Sequence, residues 1–482
     1  MKAKLSTLSL TLGLVCLIPL KLLSADLLKA NDDFKTKQYA SAKQEYLAGA
    51  KLGSAHAYYQ LGTMYLKGLG GETDVINALI YFSLAADQNY HNAKSILNKM
   101  LAQLSEQKRQ EIEALLANNK NRQVDIQQKY FPIIQTDKLN QKITFDGETE
   151  LENRFYAEDI EDDLNIDLVS SFEDEDSADS EVPLLTVKTP FLIVEHDVAR
   201  DGSVRYLNQV QKFGSAQRYI DAYRLFPLAK PEFNGKAVEF VHRSFMGTAV
   251  YDQFKIIDEQ PSLYKEIRRI TRKAESSDAL ADQYQYAMAL LNFPWLEKTP
   301  NQAENLLAEL AKKGHPGAMH EYGMKLYRAQ KQIDKAIYWI SEASKFGLAR
   351  SEYRLAKILQ TSPWVVQDEQ KALFWYESAL AKGHAGANIR AAEIKLTSSN
   401  EALKDINGAI IYLNSVKTSQ HNNPEYDYLL ALSYKDREQR DFKLVVKHLE
   451  RAINMGNSAN WDVSEWENLL SRLTTGRVRI IE

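Results

Sequence analysis

Cysteine is almost absent from this sequence of 482 residues, because Cys16 is the only one. It lies in an apolar amino-terminal segment that we expect to be removed, which leaves the mature chain without a thiol. Disulfide bonds, a cysteine nucleophile and zinc sites of the cysteine type are therefore excluded for the mature protein. We expect packing alone to stabilise it.

Proline and glycine are also scarce, with 12 and 21 residues respectively. Ala, Leu, Lys, Glu and Gln are frequent instead, which favours helices over short strands joined by many turns. A composition of 44% hydrophobic and 26% charged residues is typical of a folded chain rather than a disordered one. We therefore expect a mainly α fold organised in two or three folded units.

The chain has no long apolar run after residue 25. Before that point, Lys2 and Lys4 precede an apolar run over residues 5–20, and Leu23-Ser24-Ala25 follows it, a pattern typical of secretory signal peptides. A membrane anchor is the alternative, but the run is shorter than the roughly 20 apolar residues of a spanning helix. We predict that residues 1–25 form a signal peptide and that the mature protein is periplasmic.

The sequence repeats itself with a unit of about 36 residues, a length typical of two-helix repeats. An Ala-x-x-Gly-x-x-x-Ala frame recurs, and a second pattern begins at Ala336, Ala372 and Ala409. Small residues let two helices approach, glycine ends one helix in the left-handed conformation, and aromatic residues fill the space between units. The frame is carried by Ala50, Gly53, Ala57, Ala86, Ala93, Ala311, Gly314, Ala318, Gly347, Gly383 and Ala387.

The segment from Ala57 to Ala93, with its Leu61-Gly62 pair, resembles the Sel-one-like repeat, a relative of the tetratricopeptide repeat. A weaker match runs from Ala279 to Gly456. The resemblance implies an α-solenoid of two-helix repeats in two blocks, residues 26–130 and residues 259–482 with a helical cap. It also makes Gly62 a packing position and implies that the protein binds other proteins along its exposed faces, as stacked repeats do.

Residues 131–187 differ from both blocks in composition. Between Asp146 and Glu181, sixteen acidic residues accompany one basic residue, Arg154. Such a tract repels itself and buries little apolar surface, so we predict that residues 131–187 form an acidic, mostly disordered linker. Calcium binding is the alternative, but the acids lack the fixed spacing and the turn glycine of a calcium loop.

From Thr189 the pattern changes from helical to extended. Apolar runs on both sides of Asp201-Gly202, a helix-like stretch and a final apolar run predict the order strand, strand, helix, strand. Asp201-Gly202-Ser203-Val204 and Asn234-Gly235-Lys236-x-Val238 resemble the carboxy-terminal domain of TonB, the periplasmic energy transducer. We therefore assign residues 188–258 to a TonB carboxy-terminal-like α/β module.

The TonB resemblance implies a docking edge on the last strand, from Lys236 to Met246. A partner peptide would add to this edge in extended form, with main-chain hydrogen bonds supplying the affinity. The alternative is that the following repeats cover the strand and that the module is a spacer. The residues of the predicted docking edge are Lys236, Val238, Glu239, Phe240, Val241 and Arg243.

Motifs of catalysis are missing. The nine histidines form no His-Glu-x-x-His pattern, and the chain has no phosphate-binding loop, nucleophile elbow or dinucleotide fingerprint. No basic cluster is dense enough for nucleic acid. We expect no enzyme activity, metal or cofactor. The sequence predicts a non-enzymatic periplasmic scaffold that binds envelope proteins or extended peptides. The alternatives are an accessory of TonB-dependent transport and a scaffold for exopolysaccharide secretion or glycan binding.

Overall fold

The computed structural model describes residues 25–118, 121–146, 189–225 and 228–475. All of the predicted signal peptide except Ala25, and all of the acidic tract except Asp146, lie outside these residues. The described chain is mainly helical and carries a small α+β module between two blocks of helical hairpins, as the sequence predicts. None of the described helices is both long and apolar enough to span a membrane.

The amino-terminal block is a series of short helices, of which α1 to α5 bury small or apolar residues. Its bounds are α1 (Leu27–Lys35), α2 (Tyr39–Lys51), α3 (Ala55–Lys67), α4 (Val75–Asp87), α5 (Ala93–Leu101), α6 (Glu106–Asn118) and α7 (Asn121–Tyr130).

The carboxy-terminal block begins directly after the module and continues to the end of the described chain. It comprises α9 (Gln253–Glu259), α10 (Pro261–Ser276), α11 (Leu280–Asn292), α12 (Gln302–Lys312), α13 (Pro316–Arg328), α14 (Ile333–Lys345), α15 (Ala349–Thr361), α16 (Glu369–Leu380), α17 (Ala385–Thr397), α18 (Ile406–Ser415), α19 (Lys417–Gln420), α20 (Pro424–Asp436), α21 (Phe442–Ser458) and α22 (Ser464–Thr474).

The repeat frame encodes the turn between two helices. Gly314 and Gly383 have positive φ angles of 89° and 85°, which only glycine adopts without strain. The next residue caps the following helix: the backbone N–H of Ala318 donates to Nδ1 of His315, and that of Ala387 to Nδ1 of His384. Each such cap satisfies one of the orphan N–H groups of a helix terminus.

The module lies between the two blocks and contains two three-stranded antiparallel sheets. Their strand orders are β3-β2-β6 and β1-β4-β5, and α8 connects the first hairpin to the later strands. The order strand, strand, helix, strand is therefore present, with β4 and β5 as additions. The bounds are β1 (Thr144–Asp146), β2 (Phe191–Val198), β3 (Val204–Phe213), α8 (Gln217–Leu225), β4 (Lys230–Phe233), β5 (Lys236–Ala237) and β6 (Phe240–Gly247).

The two repeat blocks share one hydrophobic core. The backbone N–H of Leu27 donates to the carbonyl oxygen of Phe346 over 3.1 Å, and the ring of His56 stacks on that of Phe346 at 5.1 Å. A Cβ atom on Gly347 would lie only 2.3 Å from the carbonyl oxygen of Ala25. The beginning of the described chain therefore packs against the turn between α14 and α15.

The predicted linker begins too early, because residues 131–146 are folded against the carboxy-terminal repeats. Phe131 and Ile143 are 1% and 3% exposed, and Ile134 forms an antiparallel bridge with Val365. Burial of one such side chain contributes about 1.5–3 kcal/mol, which offsets the backbone entropy of one or two ordered residues at about 1–2 kcal/mol each. The acidic composition that suggested disorder starts only at Asp146. We call residues 130–143 the crossover segment.

Candidate functional site

Strand β2 is buried on both faces, and its side chains alternate between two environments. Leu192 and Val194 pack with the helix α8. Ile193 packs instead with α9, α10 and α11, and Glu195 and Asp197 on the same face reach the helices α13 and α15. The carboxylates of Glu195 and Asp197 are thus placed at the interface between the sheet and the repeats.

Helix α15 presents three cations to this interface. Arg350, Arg354 and Lys357 are spaced at i, i+4 and i+7, so they share one helical face. The preceding repeat contributes Glu321 and Arg328 from α13, seven residues apart and therefore also on one face. The charges of two successive repeats consequently converge on the sheet.

The interface is a continuous network of ion pairs around Glu195. Its carboxylate contacts Arg328, lies 3.1 Å from Nη2 of Arg243 and 3.6 Å from Nη2 of Arg354. Asp197 accepts hydrogen bonds from Arg354 at 2.5 Å and from the hydroxyl of Tyr353 at 2.7 Å.

Two further carboxylates extend this network. Glu321 lies 2.9 Å from Arg243 and 3.2 Å from Arg350, and Glu239 pairs with Lys357. We call these nine side chains the ion-pair interface: Glu195, Asp197, Glu239, Arg243, Glu321, Arg328, Arg350, Arg354 and Lys357.

The ion pairs hold the carboxylates ionised. Burial alone would raise the pKa of Glu195, but the neighbouring Arg328, Arg243 and Arg354 outweigh it and lower that pKa to about 2. The same competition, with Lys357 as the main cation, lowers the pKa of Glu239 to about 2. Both groups therefore remain charged at every physiological pH.

The geometry suits a structural joint rather than a catalytic cleft. The cavity beside Asp197, Glu239 and Lys357 has a volume of about 10 Å³, which is room for one water molecule at most. A general acid or base must also exchange its proton near neutral pH, whereas these carboxylates are held ionised. Across the described ranges, no group of three or more His, Cys, Asp and Glu side chains is arranged to hold a metal ion.

The predicted docking edge lies inside this joint. The expected single strand is divided, because Lys236 belongs to β5, Val238 and Glu239 lie between the strands, and β6 begins at Phe240. Although β6 is at one edge of its sheet, its side chains are buried or half-buried.

Four of the predicted edge residues are buried or ion-paired at the interface with the repeats. Val241 is 2% exposed and Phe240 stacks on Tyr327 with ring centroids 5.5 Å apart, while Glu239 and Arg243 belong to the ion-pair interface. The prediction of an accessible docking edge is therefore wrong for these four side chains. The repeats cover these side chains, which was the alternative to an accessible docking edge.

The residues of the repeat frame occupy packing and turn positions. A Cβ atom on Gly62 would lie only 3.0 Å from the ring of Phe82, and Gly53 and Gly347 have positive φ angles of 75° and 82°. The alanines of the frame are buried, apart from partly buried Ala86: Ala50, Ala57, Ala93, Ala311, Ala318 and Ala387.

An exposed apolar stripe on the second helices of the repeats was not recognised from the sequence. Tyr338 and Ile411 are 54% and 65% exposed, and Phe374 is the equivalent residue of the repeat between them. Each follows the buried Ala-x pair of its helix, which turns it outward by about 100° per residue; this offset was the available signal. We call Tyr338, Phe374 and Ile411 the second-helix stripe.

The middle of the stripe is covered by the crossover segment. The ring of Tyr130 lies 4.8 Å from that of Phe374, and the indole N–H of Trp375 donates to the carbonyl oxygen of Tyr130 at 2.6 Å. Further along, the backbone N–H of Gln135 donates to the carbonyl oxygen of Trp364 at 2.9 Å. The end of α7 and the non-helical residues that follow it are therefore bound by this surface within the molecule itself.

Stacked helical hairpins with this turn frame define an α-solenoid repeat protein. The Sel1 repeat family model matches residues 55–90, 301–345 and 349–384, so the chain carries Sel1 repeats in both blocks.

Two solved structures are similar to this chain. One is c5321, a protective antigen present in uropathogenic Escherichia coli strains that displays an SLR fold. Its sequence identity to this chain is 14%, and the TM-score is 0.35. The alignment covers 93% of this chain and 82% of that chain. The other is a Sel1 repeat protein from Oxalobacter formigenes, with 18% identity, 44% and 85% covered, and a TM-score of 0.34. No curated protein matches the chain.

Proposed function

We propose that this protein is a non-enzymatic periplasmic scaffold that binds envelope proteins along the second-helix stripe of its repeats. Sel1 repeats are generally protein-protein interaction scaffolds. The observation that carries the proposal is that one part of the stripe already binds a segment of this chain, through the contacts of Tyr130 at the end of α7 with Phe374 and Trp375.

The ion-pair interface supports different roles for the module and the repeats: the module stabilises the repeats, and the repeats bind partners. Detaching the sheet would also expose Phe240 and Val241, which are 5% and 2% exposed, at a cost of about 1.5–3 kcal/mol for each side chain, so detachment is disfavoured. The sheet then acts as a rigid brace for α13 and α15, and partners bind elsewhere. The second-helix stripe, with Tyr338 and Ile411 exposed, offers the surface for them.

Photo-crosslinking tests this proposal in cells. A benzoylphenylalanine placed at Ile411 is expected to capture a defined envelope protein, whereas one at Phe254, which is 68% exposed but lies off the stripe, is not. The captured protein is then purified and its affinity is measured against the parent and Tyr338→Ser, for which we expect at least a fivefold loss. Identical capture from both positions, or an unchanged affinity, contradicts the proposal.

An accessory role in TonB-dependent transport is the second candidate, and the position of β3 favours it. This strand forms the other edge of the sheet, and Asn208, Gln209 and Lys212 on it are exposed. A crosslinker at Gln209 that captures an outer-membrane transporter supports this function. Retention of the protein on polysaccharide supports the glycan-binding alternative instead.

The periplasmic location has its own test. If residues 1–25 are a signal peptide, amino-terminal sequencing of the protein from a periplasmic fraction gives Asp26 at or close to the first position. A chain that begins at Met1 and fractionates with membranes contradicts the location but leaves the binding surface unaffected.

A further inference from the structure

Two successive second helices carry the same five-residue pattern. Helix α14 contains Lys335-Ala336-Ile337-Tyr338-Trp339 and α16 contains Lys371-Ala372-Leu373-Phe374-Trp375, 36 residues further on. The aromatic pairs have the same geometry, with ring centroids 5.1 Å apart in both and interplanar angles of 72° and 82°. The two helices thus present equivalent sets of an ammonium group, an outward ring and an indole.

The set on α16 is occupied by the crossover segment. Trp375 donates its indole N–H to the carbonyl oxygen of Tyr130 at 2.6 Å, and Nζ of Lys371 donates to the carbonyl oxygen of Phe131 at 3.0 Å. The ring of Phe131 lies 5.5 Å from that of Trp375. All three groups of the set therefore serve to hold two consecutive aromatic residues, Tyr130 at the end of α7 and Phe131 directly after it.

A lysine of the neighbouring helix completes the occupied site. Nζ of Lys345, at the end of α14, lies 5.0 Å from the centroid of the Phe131 ring, a distance at which a cation is attracted to a ring face. In the repeat frame, Lys312 at the end of α12 is the equivalent of Lys345, and it is exposed. The set on α14 therefore has the same fourth member available.

Among the residues that the structure describes, none occupies the set on α14 as the crossover segment occupies the set on α16. Nε1 of Trp339 is buried, and no acceptor for it exists within the described part of the chain, whereas Nε1 of Trp375 has one. A buried donor without a partner is unfavourable, so a ligand that supplies a carbonyl oxygen gains from this group. The ring of Tyr338 is 54% exposed, and Nζ of Lys335 donates to the side chain of Gln332 at 3.2 Å.

We propose that α14 is a peptide-binding site for a segment of a partner protein in which two consecutive aromatic residues follow each other at a helix end, as Tyr130 and Phe131 do at the end of α7. The first aromatic ring packs on Tyr338 and its carbonyl oxygen accepts from Trp339, while Lys335 and Lys312 take the positions that Lys371 and Lys345 have around Phe131. This assignment rests on the proposed function and names the chemistry of the partner.

A labelled peptide with the sequence of residues 127–135, which includes Tyr130 and Phe131, is the probe. Fluorescence anisotropy with the full-length protein is expected to show saturable binding of one peptide per chain. The variant Trp339→Phe should weaken it about five- to tenfold, the effect of one hydrogen bond, and so should Tyr338→Ser, which removes an exposed ring and leaves the core intact. A peptide with both aromatic residues replaced by serine should not bind.

The matched control is Trp295→Phe, because the indole N–H of Trp295 is likewise buried without an acceptor in the described chain but lies away from the stripe. Its peptide affinity should equal that of the parent. No saturable binding, or equal affinity in all variants, overturns the assignment. Weakening by Trp375→Phe alone overturns it too, because the probe has then exchanged with the crossover segment on α16. In either case, crosslinking from Ile411 still decides the proposed function separately.

Discussion

The substitution Glu195→Gln tests whether the ion-pair interface holds the sheet on the repeats. It keeps the shape of the side chain but removes a charge that faces Arg243, Arg328 and Arg354. In the folded protein the pKa of Glu195 is lowered from its ordinary value of 4.5 to about 2. At about 1.4 kcal/mol per pKa unit, this difference corresponds to a stabilisation of about 3 kcal/mol at neutral pH. The cost of breaking a buried ion pair, about 3–5 kcal/mol, agrees with it.

The pH dependence gives this prediction its sign. Because the pKa of Glu195 is lower in the folded state than in the unfolded state, its contribution to the free energy of unfolding is complete above pH 4.5 and is lost as the pH falls towards 2. Urea unfolding of the parent and Glu195→Gln, followed by tryptophan fluorescence, should therefore differ by about 3 kcal/mol at pH 7 and by much less at pH 3.

An exposed ion pair supplies the control for this experiment. Glu266 and Arg269 lie 2.6 Å apart, but their side chains are 49% and 57% exposed, and such surface pairs contribute about 0–1 kcal/mol. Glu266→Gln should therefore have little effect at either pH. If Glu195→Gln is no more destabilising than Glu266→Gln, or if its effect does not decrease with acid, the sheet is not held by these ion pairs.

Two further predictions concern a turn and a buried histidine. Gly347→Ala should destabilise the protein more than Gly383→Ala, because the new Cβ on Gly347 would meet Ala25. Gly383 has a similar φ of 85° but no neighbour within 4 Å, so its substitution should cost only about 1–2 kcal/mol of backbone strain. Equal melting temperatures of the two variants contradict the docking of residue 25. Burial lowers the pKa of His320 to about 3, so the contribution of this side chain to stability is complete above pH 6.5 and decreases below it. The fall in melting temperature from pH 7 to pH 5 should therefore be smaller in His320→Gln than in the parent. An equal fall in both proteins contradicts this prediction.

The repeats and the strand order could be predicted from the sequence because both depend on local patterns. The turn glycines, the small residues of the helix contacts and the Asp201-Gly202 hairpin each act over a few residues. The family model locates repeats in the same parts of the chain. The TonB resemblance of the module stays a prediction.

The interface between sheet and repeats could not be predicted in the same way. Arg350, Arg354 and Lys357 form a charged helical face, which is usually solvated, and Glu195 and Asp197 alternate along a strand as solvent-facing residues do. Their pairing joins residues more than a hundred positions apart, and nothing in either pattern encodes it. The crossover segment was missed for a related reason, since its buried residues border an acidic tract.

The contacts of the crossover segment, and those of Ala25 with Gly347, determine how the protein responds to cleavage of its backbone. Both ends of the stretch 147–188 continue into chain that is bound to the same body, through β1 on one side and β2 on the other. A single cleavage within that stretch therefore separates the backbone without removing a contact described above. The two pieces should remain one particle in native gel filtration and separate only in denaturant.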